Sequence, residues 1–143
     1  MYTISTDPRR LDVDRIVRWL NEESYWAGGR PRGIIERSIE HSLAFGAYQV
    51  GEQVGFARVV TDRATFAWLC DVFVDEAHRG RGVGKLLVQA ATEHPDVRGL
   101  RLMLLATRDA QGLYERYGGF HVLQTPERWM VRWAVEGPPP CAT

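Results

Sequence analysis

Arg79-Gly80-Arg81-Gly82-Val83-Gly84-Lys85 crowds three glycines and three cations into one short stretch, after the apolar run Val72-Phe73-Val74 and before a helical stripe. A strand feeding such a turn at a helix N-terminus presents main-chain N–H groups at the positive end of the helix dipole, which is what a phosphate binds. Glycine at 80, 82 and 84 lets a ligand touch the main chain without meeting a Cβ, while Arg79, Arg81 and Lys85 add positive charge. That charge is local, because Lys+Arg 18 against Asp+Glu 18 leaves the chain formally neutral. A neutral chain lacks the long-range attraction of a dedicated nucleic-acid or anionic-membrane binder, so neither partner is expected. Two nucleotide loops fail on spacing. A dinucleotide fingerprint needs G-x-G-x-x-G, whereas these glycines recur at every second position; a Walker loop needs four residues between its glycines and Ser or Thr after Lys, whereas Gly80 and Gly84 enclose three and Leu86 follows Lys85.

Arg79-x-x-Gly82-x-Gly84 does fit [Gln/Arg]-x-x-Gly-x-[Gly/Ala], and Ala110-Gln111-Gly112-Leu113-Tyr114-Glu115-Arg116-Tyr117-Gly118-Gly119-Phe120 follows downstream. On these two motifs, in this order, the chain resembles the GCN5-related N-acetyltransferase (GNAT) family, and the resemblance covers most of its length. It implies an α/β fold with a mixed, mostly antiparallel sheet and a parallel βαβ crossover at the cofactor site. It also implies acetyl-coenzyme A as co-substrate and acetyl transfer to an amine of a small molecule or peptide, by direct attack in a ternary complex. In the family the glycine loop, here Arg79, Gly80, Arg81, Gly82, Val83, Gly84 and Lys85, positions coenzyme A. The preceding strand splays from its neighbour so that main-chain N–H groups, here those of Val72 and Val74, meet the pantetheine and acetyl carbonyls. A preorganised donor of this kind contributes roughly 3–4 kcal/mol in other acyl-transfer sites.

Tyr114 matches the position where many family members keep a tyrosine that protonates the departing thiolate. A phenol of pKa about 10 donates to a thiolate whose thiol lies near about 8.5 only with help from geometry. The alternative is a half-buried aromatic on an amphipathic helix. Tyr117, three residues on, lies on nearly the same side of that helix. Two departures stand out: Gly118-Gly119 where the family usually has one glycine before Phe, and Thr107 where many members have an Asn that contacts the pantetheine arm. They leave open a non-catalytic coenzyme A-binding sensor. A phosphate-binding domain of another fold is a third reading.

An acceptor amine must also lose a proton. Asp71, a carboxylate inside an apolar strand, is the candidate base; anchoring a cationic acceptor, or pairing with an Arg or a main-chain N–H, are its other readings. If Val72 and Val74 face one side, alternation turns Asp71 to the other unless a bulge intervenes. Cys70 has no evident histidine partner, and a buried cysteine is usually inert. Tyr25, Trp26 and Arg30 fall between the first two helices, in the loop that commonly walls the acceptor site in this family, with Glu22 and Glu23 able to attract an amine; Trp26 capping the core is the plainer reading. His41, His78, His94 and His121 show no metal spacing, and no metal is expected.

These residues need a scaffold. Alternation at 2–5 predicts a strand, and Val13, Ile16, Val17 and Leu20 a helix reaching about Glu23. Pro31 opens a second helix with Ile35 and Ile39. Three antiparallel strands follow, 43–50, 54–60 and 66–74, turning at Gly51-Glu52 and Asp62-Arg63. Val83, Leu86, Leu87, Ala90 and Ala91 stripe a helix stopped by Pro95, and the apolar run 100–105 reads as a strand parallel to 66–74, as a right-handed crossover requires. A helix over 109–117 and closing strands at 120–123 and 129–133 complete one domain over 1–136, with 137–143 a disordered tail. The two cysteines, Cys70 and Cys141, suit no disulfide framework, and nothing resembles a signal peptide or a membrane span, so a cytoplasmic monomer or homodimer is expected.

The loop spacing yields a direct test by thermal denaturation. Acetyl-coenzyme A at 100-fold excess over its Kd adds about 2.7 kcal/mol and raises the melting temperature by several degrees, whereas NAD and ATP leave it in place. Equal stabilisation by NAD contradicts the assignment of the loop.

Overall fold

The computed structural model describes residues 1–134 of the 143. A sheet in the order β1 (Thr3–Ser5), β2 (Leu43–Gln49), β3 (Glu52–Thr61), β4 (Phe66–Val74) and β5 (Leu102–Leu104) forms the centre. Its first four strands are antiparallel neighbours, and β4 with β5 is the parallel pair. The crossover joining that pair is α3 (Val83–Glu93), as its single apolar stripe requires.

Each face of the sheet has its own core. Val83, Leu87, Val88 and Ala91 of α3 pack against Val54, Val59, Leu69 and Val72. On the other face α1 (Val13–Arg18), the π-turn Trp19–Glu23 and α2 (Arg32–Glu40) bring Ile16, Trp19, Leu20 and Ile35 onto Ala44, Phe56 and Phe73. The rings of Trp19 and Phe73 stack at 5.5 Å between centroids. Asp12 starts α1 by accepting the Arg15 N–H, which satisfies one of the donors that every helix start leaves over.

The strand pair β3–β4 carries the irregularity on which the site depends. Phe56 pairs with Phe73 and Arg58 with Cys70, so Asp71 and Val72 together oppose Ala57 alone. This is a bulge, and Asp71 sits in it with φ of 52°. The insertion shifts the side-chain alternation by one: Leu69 and Val72, three apart, both enter the α3-side core, and Phe73 enters the other.

Three details differ from the expectations above. The β2–β3 turn is made by Val50 and Gly51, with φ of 49° and 81°, because a two-residue hairpin loop of this hand needs positive φ at both central positions. The strand expected over 100–105 is paired only over Leu102–Leu104. Neither closing strand forms among the described residues: 120–123 and 129–133 lie outside any strand, separated by the turn Pro126–Arg128. Their aromatic and β-branched residues carry strand propensity, but propensity of this kind yields to tertiary context. Cys141 and the expected tail at 137–143 lie outside the described residues.

Helix α3 reaches the sheet through Gly55, where an added Cβ would lie 3.1 Å from the Phe73 carbonyl oxygen and 3.2 Å from Leu87. Gly55→Val therefore overpacks the joint between α3 and β4, with an expected loss of about 1–3 kcal/mol in chemical denaturation. Wild-type stability in that variant contradicts the close approach of helix and sheet.

Candidate active site

The glycine loop begins with a short turn, Glu76–His78, whose Asp75 side chain accepts the Ala77 N–H. Arg79 then folds back: its Nε donates to the Val74 carbonyl at 3.0 Å and its guanidinium lies 5.2 Å from the Phe73 ring centroid. Arg79 thus staples the loop to the end of β4. Gly80 and Gly82 have φ of 74° and 86°, and a Cβ at either would meet nothing within 4 Å. Gly82 is the N-cap of α3 with no side chain capping the helix, and the first helical bond runs from the Leu86 N–H to its carbonyl. The amides of Val83, Gly84 and Lys85 therefore sit at the positive end of the dipole, above open space. His78 is tied by its Nδ1 to the hydroxyl of Tyr2, the residue before β1, at 3.1 Å.

Strand β4 continues the same surface. Its ladder with β5 runs from Phe66↔Leu102 to Trp68↔Leu104, so no residue of β5 is in register with Val72 or Val74. The Asp75 N–H donates to Val54 of β3 at 2.9 Å. Alternation then turns the Phe73 N–H to β3 as well, and leaves those of Val72 and Val74 facing the open edge.

Two grooves meet along that edge. One, of about 530 Å³, includes Tyr25, Trp26, Val72, Val74, Arg108 and Tyr114 in its lining. The other is walled by Gly80, Gly82, Val83, Lys85 and Tyr117. Val74, Arg79, Gly84 and Leu113 belong to both, which makes them one cleft from the helix N-terminus to Tyr114.

Tyr114 and Tyr117 separate within that cleft. Both project from α4 (Gln111–Gly118), which ends in a left-handed Gly119 with φ of 70°. Tyr114 is 2% exposed, lies edge-on to Phe120 and lines the wider groove. Tyr117 lies beside the glycine loop, its ring 5.1 Å from Lys85 Nζ. The double glycine closes the helix rather than displacing it: Gly119 takes the left-handed cap, and a Cβ on Gly118 would meet Phe120 at 2.7 Å. Thr107 is placed elsewhere. Its hydroxyl accepts the Ala110 N–H at 3.1 Å, and it lines the adjoining groove between β5 and 120–126 rather than the glycine-loop cleft.

On the loop between α1 and α2, Tyr25 is 38% exposed and Trp26 only 7%, their rings edge to face at 5.0 Å. Trp26 Nε1 donates to Asp71 Oδ1 at 3.0 Å, while Arg30 Nη1 and Arg58 Nε donate to Oδ2 at 2.9 and 3.0 Å. Asp71 has no solvent exposure. Arg30 is therefore the partner of Asp71 and is absent from the groove lining. Arg108, which sequence reasoning missed, covers Tyr25: its guanidinium carbon is 3.8 Å from the ring centroid and its main-chain N–H donates to the Tyr25 hydroxyl at 3.1 Å. No motif marks a contact across 83 residues. Glu23 and Asp109 also line this groove, paired with Arg18 and Arg108, whereas Cys70 is fully buried. Among the described residues no cluster of His, Cys, Asp or Glu could hold a metal ion, and no helix is long and apolar enough to cross a membrane.

Comparison with known proteins agrees with this geometry. The model of the acetyltransferase (GNAT) family matches residues 13–120, which span both the loop between α1 and α2 and the glycine loop. The chain belongs to the GNAT acetyltransferase family. It is 33% identical over 129 residues to FG08082 of Gibberella zeae, a proposed acetyltransferase, with 74% of this chain and 72% of that protein aligned. A crystal structure of a GNAT-family protein from Xanthomonas campestris pv. campestris shares 48% identity and a TM-score of 0.89 over 94% of each chain. The GNAT-family protein SP0256 from Streptococcus pneumoniae, at 23% identity and a TM-score of 0.73, covers 96% of this chain and 100% of its own. That last likeness shows the fold alone.

The cleft supplies what the family's usual cofactor, acetyl-coenzyme A, needs from a protein. Gly80 and Gly82 leave room above the amides of the α3 N-terminus, and the open edge of β4 continues from that point toward Tyr114. Arg81→Glu, a charge reversal on the exposed loop, should weaken acetyl-coenzyme A binding at least tenfold at low salt, while the unliganded melting temperature stays unchanged. Calorimetry showing undiminished affinity would place the phosphates elsewhere.

Proposed function

We propose that this protein is an acetyl-coenzyme A-dependent N-acetyltransferase acting on an amine of a small molecule or peptide, with donor and acceptor held together in a ternary complex. The observation that carries the reading is the single cleft in which the α3 N-terminus, the open edge of β4 and Tyr114 succeed one another. When bound, acetyl-coenzyme A supplies an activated acetyl thioester. Arg79, Gly80, Arg81, Gly82, Val83, Gly84 and Lys85 hold its phosphates. The Val72 and Val74 N–H groups donate along the pantetheine arm and to the carbonyl oxygen that gains charge during attack, and being main chain they need no reorganisation to do so.

Tyr114 holds the proton for the departing sulfur. Its burial against Phe120 restricts the ring, and its place on the wider groove sets it apart from Tyr117. On the acceptor side, Tyr25 and Trp26 form the wall that receives the amine, with Arg30 behind it as an anchor of Asp71. Asp71 is poorly suited to take the amine's proton, since Trp26, Arg30 and Arg58 already donate to its two oxygens. Glu23 and Asp109 line the groove, are far more exposed and have longer ion pairs, to Arg18 at 3.9 Å and to Arg108 at 3.5 Å, which leaves them better placed to take that proton.

Tyr114→Phe with Tyr117→Phe as the matched control tests the assignment, after an acceptor has been found by thiol release across a panel of amines. We expect Tyr114→Phe to bind acetyl-coenzyme A as wild type does and to lose about 10²- to 10⁴-fold in kcat, with Tyr117→Phe much less affected. Near-normal kcat for Tyr114→Phe, with chemistry limiting the rate, removes it as the acid. Tight acetyl-coenzyme A binding without turnover on any amine instead marks a cofactor-binding module.

A further inference from the structure

Asp71 occupies an unusual position. It is a buried carboxylate on a non-glycine residue at φ of 52°, within the one-residue insertion that precedes Val72. A left-handed conformation is disfavoured for any residue with a Cβ, and persists where the surroundings over-determine it. Those surroundings are three donors from two directions. Arg58 approaches from β3, with a further bond from its Nη1 to Ser42 Oγ at 3.0 Å, while Trp26 and Arg30 approach from the loop between α1 and α2. The carboxylate is 1% exposed, Arg58 is 7% and Arg30 is 16%, so the contacts form away from solvent.

The bulge is also what sets the edge of the following amides. Along a regular strand N–H groups alternate between the two edges, and a single inserted residue reverses the phase of everything after it. Without the insertion, the N–H of Val72 would turn toward β3 and that of Asp71 toward the open edge. The device that selects the open-edge amides is therefore held in place by the acceptor-side loop.

We infer that Asp71 is a positioning residue that couples the two halves of the site: Trp26 and Arg30, through its carboxylate, hold the bulge that aims the Val72 and Val74 amides at the acetyl carbonyl. This rests on the cofactor-site reading above and adds to it a regulation of that site. The acceptor loop, when seated, sharpens carbonyl polarisation; when displaced, it relaxes it. Arg30, which is absent from the groove lining, thereby influences the reacting carbonyl.

The test needs no acceptor. Acetyl-coenzyme A labelled with carbon-13 at the acetyl carbonyl is bound to the full chain, its dissociation constant is measured by calorimetry, and its carbonyl stretch by isotope-edited infrared spectroscopy. In the wild type the stretch falls below that of the free thioester. In Arg30→Gln and Trp26→Phe the dissociation constant stays near wild type, while the stretch moves back toward the free value, and Asp71→Ala, which removes the acceptor of all three donors and disfavours the left-handed backbone, moves it furthest. Trp26→Phe, which deletes one donor and keeps an aromatic ring, serves where the Asp71 variant does not fold. A stretch that stays at its wild-type position in folded, ligand-bound Arg30→Gln and Trp26→Phe overturns the coupling and leaves the cofactor site intact. No binding by wild type overturns both.

Discussion

The arrangement depends on one interruption of pairing: the β4–β5 ladder ends at Trp68↔Leu104, six residues before β4 itself ends at Val74. A sheet interior tolerates an open edge poorly, because a main-chain N–H removed from water without a partner costs about 1–3 kcal/mol. Here the open edge faces a cleft, so a ligand with carbonyl groups can satisfy what the missing strand does not. The crossover helix makes the position useful. Because α3 leaves the C-terminal end of β4 and packs back over the sheet, its N-terminus opens at the point where the edge becomes free. The proposed anion site and carbonyl site thus share one strand–loop–helix connection, with Arg79 stapling loop to strand at 3.0 Å.

The loop between α1 and α2 is joined to that connection by aromatic and charged contacts rather than by the sheet. The Arg108 side chain lies on the Tyr25 ring and its main-chain N–H donates to the hydroxyl, which links the segment before α4 to the loop before α2. Beneath them, Trp26 belongs at once to the α1–α2 core and to the donors of Asp71. The plain structural reading of Trp26 and its site reading are therefore compatible, since a buried indole usually takes an acceptor for its N–H and here Asp71 provides it.

Much of this was legible in the sequence because it rests on period and composition. The crossover, the glycine loop and the helix carrying Tyr114 each announce themselves through apolar stripes, glycine spacing or the placement of Pro95. What escaped lies in single-residue offsets and long-range contacts. The bulge at Asp71 leaves only an acidic residue in an apolar run, and alternation alone could not say whether the strand was regular. The hairpin turn fell one residue earlier than expected because Val50 itself adopts positive φ. The closing strands expected at 120–123 and 129–133 did not form among the described residues, since strand propensity yields to tertiary context. Arg108 on Tyr25 left no local mark at all.

The claim on which the account turns is that the open-edge amides of β4 and the first amides of α3 receive one ligand. Main-chain amide NMR on the nitrogen-15-labelled chain, titrated with acetyl-coenzyme A, observes those groups directly. The account predicts that the largest shifts and the strongest new protection from hydrogen exchange fall on Val72, Val74, Val83 and Gly84. Shifts confined to the groove between β5 and residues 118–124, with those four amides unmoved, would contradict it.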